Sequence, residues 1–213
     1  MPRMLNIDKW SRKDQYHFFK DYDNPFFNIC AEVDVTELHD FSKQNEFSFF
    51  LTSVYATLKA ANLIEEFRYR IKNDGVIVHD QIHAGSTFLK DDDTFGFVYL
   101  TYRSSLNDFY TEAEQVLEQM KQEKNTLDPR AEEDDLIHYS VLPWISFLSI
   151  SHPRKYKTTD SIPKIVLGKY YEKHNQLSMP ISIELHHSLA DGLHVANYLN
   201  KLQEILDQPS LTL

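Results

Sequence analysis

Residues 179–192 read MPISIELHHSLADG. Ile181, Ile183 and Leu185 alternate with Ser182, Glu184 and His186, which is the period of a β-strand. Two histidines close the run. Gly192 then permits a sharp turn, and Asp191 is suited to cap a helix. A helix is expected from about 192 to 207, because Val195, Leu199, Leu202 and Leu206 fall on one stripe. By the same alternation His187 shares the face of Ile181, Ile183 and Leu185, so it is expected to point inward, with His186 pointing the other way. An inward imidazole at a strand end beside a turn suits general-base work, since histidine alone has an unperturbed pKa near neutrality. A hydrogen-bonded core histidine gives the same pattern, and the alternation by itself leaves both readings open.

Working outward, strands are expected at 28–36, 86–89, 94–102, 136–141, 144–150 and 164–171. Residues 67–79 read as a hairpin turned by Asn73-Asp74-Gly75. Helices are expected at 8–20, capped by Asp8 or Ser11, at 47–64, and at 105–124. The last carries Leu106, Phe109, Tyr110, Ala113, Val116, Leu117 and Met120 at helical spacing. Residues 125–135 form a polar connection. The order lacks the regular βαβα alternation of a doubly wound fold. We expect an α+β fold, a two-layer sandwich on a mixed β-sheet. No linker-like stretch divides the chain, so one domain over residues 1–213 is expected.

Of the 213 residues, 42% are hydrophobic and 25% charged, so a packed core is within reach and intrinsic disorder is excluded. With 22 Lys and Arg against 32 Asp and Glu, the net charge is −10, which argues against nucleic-acid binding as the main role. No apolar run of about 18 residues predicts a membrane span. The N-terminus MPRMLNIDKW lacks the apolar core of a signal peptide. A single cysteine, Cys30, cannot form an internal disulfide. The expected setting is therefore reducing and cytoplasmic.

The segment His186-His187-Ser188-Leu189-Ala190-Asp191-Gly192 has the form His-His-x-x-x-Asp-Gly, and with four other segments it resembles the chloramphenicol acetyltransferase family of CoA-dependent acyltransferases. Trp10-Ser11-Arg12-Lys13 looks like that family's opening. Glu66-Phe67-Arg68 with Ile71-Lys72 and Asp74-Gly75 is similar to its hairpin. Ser140 to Phe147, SVLPWISF, resembles its Ser-x-x-Pro-Trp segment. Gly168-Lys169-Tyr170 followed by Met179-Pro180-Ile181 fits the next. The tail, with His194-Val195, Leu199-Asn200 and Leu202-Gln203, matches too, and all these segments stand in the family's order and near its spacing, over nearly the whole chain.

The resemblance implies acetyl transfer from acetyl-CoA to a small-molecule hydroxyl acceptor, without a metal. His187 would be the general base and Ser140 the oxyanion donor. Asp191 would pair with Arg12 and hold the loop that carries the base. Trp144, Tyr170 and Lys169 resemble positions that bind CoA. The family's enzymes are homotrimers with active sites at subunit interfaces. Val166 replaces a threonine that orders an active-site water, Phe19 replaces a tyrosine, and His138 replaces an asparagine or small residue. The 95–98 run Phe-Gly-Phe-Val and the 22–28 loop also depart from the pattern. These changes fall on the acceptor side. A hydrophobic alcohol, chloramphenicol or one like it, is expected to meet Phe18, Phe19, Phe26, Phe27, Phe97, His138 and Val166. A different acyl group, an amine acceptor, or an idle binding protein on the same scaffold are the alternatives.

Three further features invite chemistry. His79 and His83 have helical metal spacing but sit beside predicted strands, where residues four apart lie about 13 Å from each other. Cys30 is expected to be a small buried hydrophobe rather than a nucleophile. Asp91–Asp93 and Glu132–Asp135 read as solvated turns.

Overall fold

The computed structural model describes residues 2–122, 133–154 and 160–213. In chain order it forms β1 (Arg3–Met4), α1 (Lys13–Phe19), β2 (Phe26–Asp34), α2 (Thr36–Gln44), α3 (Phe49–Leu63), β3 (Tyr69–Lys72) and β4 (Gly75–Val78). There follow β5 (His83–Leu89), β6 (Phe95–Leu100), α4 (Leu106–Gln122), β7 (Leu136–Leu142), β8 (Lys164–Gly168) and β9 (Tyr171–Lys173). The chain ends with β10 (Gln176–His186), α5 (Gly192–Asp207) and α6 (Pro209–Thr212). The main sheet runs β2-β10-β8-β7-β5-β6, with β9 also paired to β10. β5, β7 and β8 are parallel neighbours, while β10 is antiparallel to β2, β8 and β9, so the sheet is mixed. A small second sheet, β1-β4-β3, carries the N-terminal end.

Helices α2 to α5 cover one face of the main sheet. Val33, Ile137, Ile165, Ile181, Ile183 and Leu185 from the strands join Leu38, Leu51, Phe109 and Val195 from the helices in one core. α3 is buried along its length, from Leu51 to Ala61, which suits a helix apolar on every side. α5 begins where the sequence placed it. Asp191 accepts from the Leu193 amide at 3.0 Å, and His194 at the third helical position accepts from the Asp191 amide at 3.1 Å, a capping box.

Several expectations need correction. No strand forms at 144–150. The chain turns after Pro143, the Ile145 amide bonds back to the Leu142 carbonyl, and the Ile145 carbonyl accepts from the Lys169 amide at 2.8 Å. Alternation in WISFL reflects an extended segment with no ladder partner. The helix expected at 8–20 is broken: a 3₁₀ turn over Ile7–Lys9 is capped by Asn6, and α1 starts only at Lys13. Neither Asp8 nor Ser11 caps it. Arg12 occupies the cap position with its side chain directed elsewhere, to Asp191. In the β3–β4 hairpin Asn73 and Asp74 supply the left-handed residues, at φ 51° and 57°, while Gly75 opens β4. A Cβ there would lie 2.9 Å from Cε of Met4, the free end of an exposed side chain that can move aside, so space alone does not demand the glycine.

Cys30 is exposed, not buried. It lies on the sheet face away from the helices, on edge strand β2, where nothing covers it. Asp91–Asp93 sit exposed at the β5–β6 tip. Asp134 is half-buried and bonds Lys72 at 2.9 Å, so that turn is not simply solvated. Residues 125–132 of the expected polar connection lie outside the described residues. No helix among the described residues is long and apolar enough to cross a membrane.

Candidate active site

Three elements meet at the end of β10. Its ladder with β2 runs to His186 opposite Phe26, and the His187 amide still donates to the Pro25 carbonyl at 2.8 Å. The chain then folds back, with the Leu189 and Ala190 amides both donating to the His186 carbonyl. His187 thus lies one residue past the strand. The strand's alternation does not govern its side chain, which is half-buried rather than sunk in the core. Its imidazole is stacked on Phe19 at 4.1 Å between centroids and 3° between planes, and Phe27 leans on it at 4.7 Å. Nδ1 lies 3.2 Å from the Ala190 carbonyl oxygen. A carbonyl only accepts, so Nδ1 is the donor in this contact, and in the neutral ring the lone pair is on Nε2.

Arg12 closes this loop from below. One guanidinium nitrogen donates to Asp191, and another donates to the His187 carbonyl at 3.2 Å. Burial pushes the Asp191 carboxyl up, but the hydrogen bond and positive charge of Arg12 outweigh it and hold the group below its ordinary range. His194, which the sequence reading placed only in the family-like tail and gave no site role, extends this network by placing Nε2 3.5 Å from Glu66. Its signal was available, because it stands at the capping-box position usually held by Glu or Gln.

His186 points to the opposite sheet face, as expected, but that face is covered here as well. It packs against Phe26, and its Nδ1 faces the Ser188 hydroxyl at 2.7 Å. Burial drives its pKa down to about 4, so it is neutral at physiological pH. The cover is the segment after β7. Arg154 is sunk beside Glu184 and Asp160, each at 2.7 Å, and lies over Phe26 at 3.4 Å. No pattern along the chain marks this buried network, because its partners are 6 and 30 residues apart.

Ser140 lies elsewhere. It is paired across the sheet with Val166, which is paired with Ser182. Two strand spacings and the five residues from Ser182 to His187 put its Cα about 19 Å from that of His187. Ser140 shares the helix-free face with Val166, His138 and Phe97. Phe97 is opposite Thr87, and Thr87 falls one residue past the Ser86–Tyr139 pair, next to Ser140. Val166 is fully covered, and burial brings His138 down to about 4. Phe18 is 63% exposed, near Phe19 and Tyr22. The described chain therefore presents two patches. One holds His187, Arg12, Asp191, Phe18, Phe19 and Phe27. The other holds Ser140, Phe97, His138 and Val166.

Next to the second patch, Ser140 and Trp144 line a cavity of about 1340 Å³, with Trp144 60% exposed on its rim. Lys169 and Tyr170 line an adjoining cavity of about 380 Å³. Tyr170 is fixed by His39, whose Nε2 lies 3.4 Å from the phenol, and by an edge contact with Phe49.

Comparison with known proteins bears on this arrangement. Residues 3–203 match the family model described as chloramphenicol acetyltransferase. The chain belongs to that family. The chain is 27% identical to chloramphenicol acetyltransferase 3 of Escherichia coli over 202 residues, covering 94% of this chain and 95% of that one. It is 28% identical to a chloramphenicol acetyltransferase of Clostridium butyricum over 207 residues, covering 95% and 93%. A solved chloramphenicol acetyltransferase superimposes with a TM-score of 0.91 at 30% identity, over 97% of this chain and 100% of that one. A dihydrolipoamide acetyltransferase of Azotobacter vinelandii shares the fold at a TM-score of 0.72 and 17% identity, over 100% and 91%. The mixed-sheet α+β architecture is thus that of the chloramphenicol acetyltransferase family, and membership makes this chain an acyltransferase.

The remaining chemical candidates are occupied structurally. His79 Nε2 lies 3.1 Å from Asp134, and His83 Nδ1 accepts from the Tyr102 amide at 3.1 Å. Among the described residues no cluster of His, Cys, Asp and Glu could hold a metal ion.

Proposed function

We propose that this chain moves an acetyl group from acetyl-CoA to a hydroxyl of chloramphenicol or a similarly hydrophobic alcohol. The observation that carries this reading is the His187 ring, clamped between Phe19 and Phe27 with its Nδ1 proton tied to Ala190. Nε2 takes the acceptor's hydroxyl proton. The oxygen attacks the thioester carbonyl, and the tetrahedral oxyanion accepts a hydrogen bond from Ser140. The C–S bond then breaks, and the proton passes from His187 to the thiolate. General-base help of this kind is worth roughly 10²–10⁴-fold, and one oxyanion donor about 3 kcal/mol.

His187 and Ser140 are too far apart within one chain to serve one carbonyl. The reading therefore requires a second copy, and a homotrimer with sites between subunits supplies it. Phe95, Leu89, Trp144, Ile145 and Leu148 stand exposed around the Ser140 patch, as an interface would need. Trp144, Tyr170 and Lys169 would receive CoA. Phe18, Phe19 and Phe27 of one subunit would face Phe97 and His138 of the next across the acceptor, while Val166, expected there too, is covered within its own chain. The whole chain acts as one domain, and the setting is cytoplasmic, consistent with a free, exposed Cys30.

Phe19, stacked on His187, offers an acceptor no hydrogen bond, which favours a second reading with a less polar alcohol than chloramphenicol. A thiol-release assay with acetyl-CoA separates these readings. Release with chloramphenicol is expected, falling at least 10²-fold in His187→Ala. Release with other alcohols but not chloramphenicol selects the second reading. Silence across a broad alcohol panel leaves a binding protein and ends the proposal.

A further inference from the structure

Ser53 lies within α3, 2% exposed, and its hydroxyl is buried without a hydrogen-bond partner. That is unusual for this helix. A buried helical hydroxyl normally bonds a carbonyl one turn back, and both neighbours do so, Thr52 to the Ser48 carbonyl at 2.9 Å and Thr57 to the Ser53 carbonyl at 2.8 Å. Native proteins rarely leave a buried polar atom unmatched, and an unmatched one in a cavity wall asks what it meets.

The cavity is the one of about 380 Å³ that Lys169 and Tyr170 also line. Its other walls are largely apolar, including Phe49, Leu167 and Met179. Phe50, Val141 and Pro143 are shared with the larger cavity that holds Ser140 and Trp144. The two spaces adjoin, with an exposed lysine on one side and the oxyanion donor on the other. A thioester donor lying along them has an anionic nucleotide end for Lys169 and a thioester for Ser140. Between these runs a flexible arm whose polar groups are two amides and one hydroxyl. An amide moved from water into apolar walls is costly unless it finds a partner. A single water fits less well, since it needs two to four polar partners.

We infer that the Ser53 hydroxyl is a hydrogen-bond partner for an amide of the pantetheine arm, so that donor binding satisfies a group the free protein leaves unmatched. This rests on the acetyl-CoA reading above. Ser53 would be a specificity residue for the donor and would take no part in the proton transfer.

The test is Ser53→Ala, read in three ways. Calorimetric binding of CoA should weaken about fivefold, the factor for one lost neutral hydrogen bond. The KM for acetyl-CoA and for acetyl-pantetheine should rise by the same factor, with the change falling on the donor KM rather than on kcat. The thermal midpoint of the free protein should not fall, because the substitution removes no bond. Unchanged CoA affinity in the variant overturns the inference while leaving the acetyltransferase reading intact. A lowered midpoint with unchanged donor KM also overturns it, since that is the signature of a purely structural hydroxyl. A wild-type protein that binds no CoA overturns both.

Discussion

Arg12 carries two bonds with different consequences. The bond to Asp191 neutralises a carboxylate that already caps α5, and the bond to the His187 carbonyl fixes the backbone of the candidate base. Breaking a fully buried ion pair costs about 3–5 kcal/mol. Here the Asp191 side chain is 34% exposed, so about 2 kcal/mol is the better expectation for Arg12→Val, in line with one hydrogen bond to a charged group. The pH dependence has a definite sign. Asp191 has a depressed carboxyl pKa in the folded state, so its stabilisation is fully present above its unfolded value near 4 and lost as pH falls through the lower folded value. Thermal unfolding should show wild type above Arg12→Val at pH 7, with the gap closing below about pH 4. A gap that persists undiminished at acid pH would mean that the arginine stabilises through its His187 carbonyl bond or its packing rather than through Asp191. The Arg12 and Asp191 pairing was legible only through the family resemblance. Nothing in their separation of 179 residues predicts the contact. The stacking of Phe19 on His187 was equally invisible, because it depends on where α1 lands relative to β10.

Elements set by local chemistry were read well, and elements set by partners were not. α5 is found at its expected bounds because a capping residue and an apolar stripe are both local signals. β10 is legible for the same reason. The strand expected at 144–150 fails because alternation marks any extended segment facing two environments, while a strand needs a ladder. Cys30 was misjudged because a sequence does not say which strand is the sheet's edge. The segment after β7 is held instead by side chains. Asn28 donates to the Ile150 carbonyl at 3.2 Å, and Arg154 is clamped by Glu184 and Asp160. Both the Arg154 and Glu184 side chains are under 10% exposed. Arg154→Met would leave Glu184 buried and unpaired, at about 3–5 kcal/mol. For a chain of this length that lowers the thermal midpoint by roughly 6–20 °C. Adding Glu184→Leu to Arg154→Met should recover most of the loss, since replacing both charges removes the unpaired group. If the double variant unfolds no later than the single one, the pair is not what pins this segment.

At the scale of the whole molecule, the fold divides the candidate chemistry. β10 leads into His187 at one place, while β7 presents Ser140 on the helix-free face, about 19 Å away between Cα atoms. In the homotrimer proposed above, the first patch of each subunit would meet the second patch of the next. This geometry makes a prediction that no single-chain site shares. His187→Ala and Ser140→Ala should each be nearly inactive, the serine variant by about 10²–10³-fold. When the two variants are unfolded and refolded together in equal amounts, some interfaces will join an intact His187 from one chain to an intact Ser140 from its neighbour. With random mixing in a closed ring, about one site in four is complete, so about a quarter of wild-type activity should return. Variants mixed without unfolding should stay inactive unless subunits exchange. If refolding together restores nothing, while refolded wild type regains full activity, then the base and the oxyanion donor must come from the same chain. The separation of the two patches would then have to close by a rearrangement within one subunit.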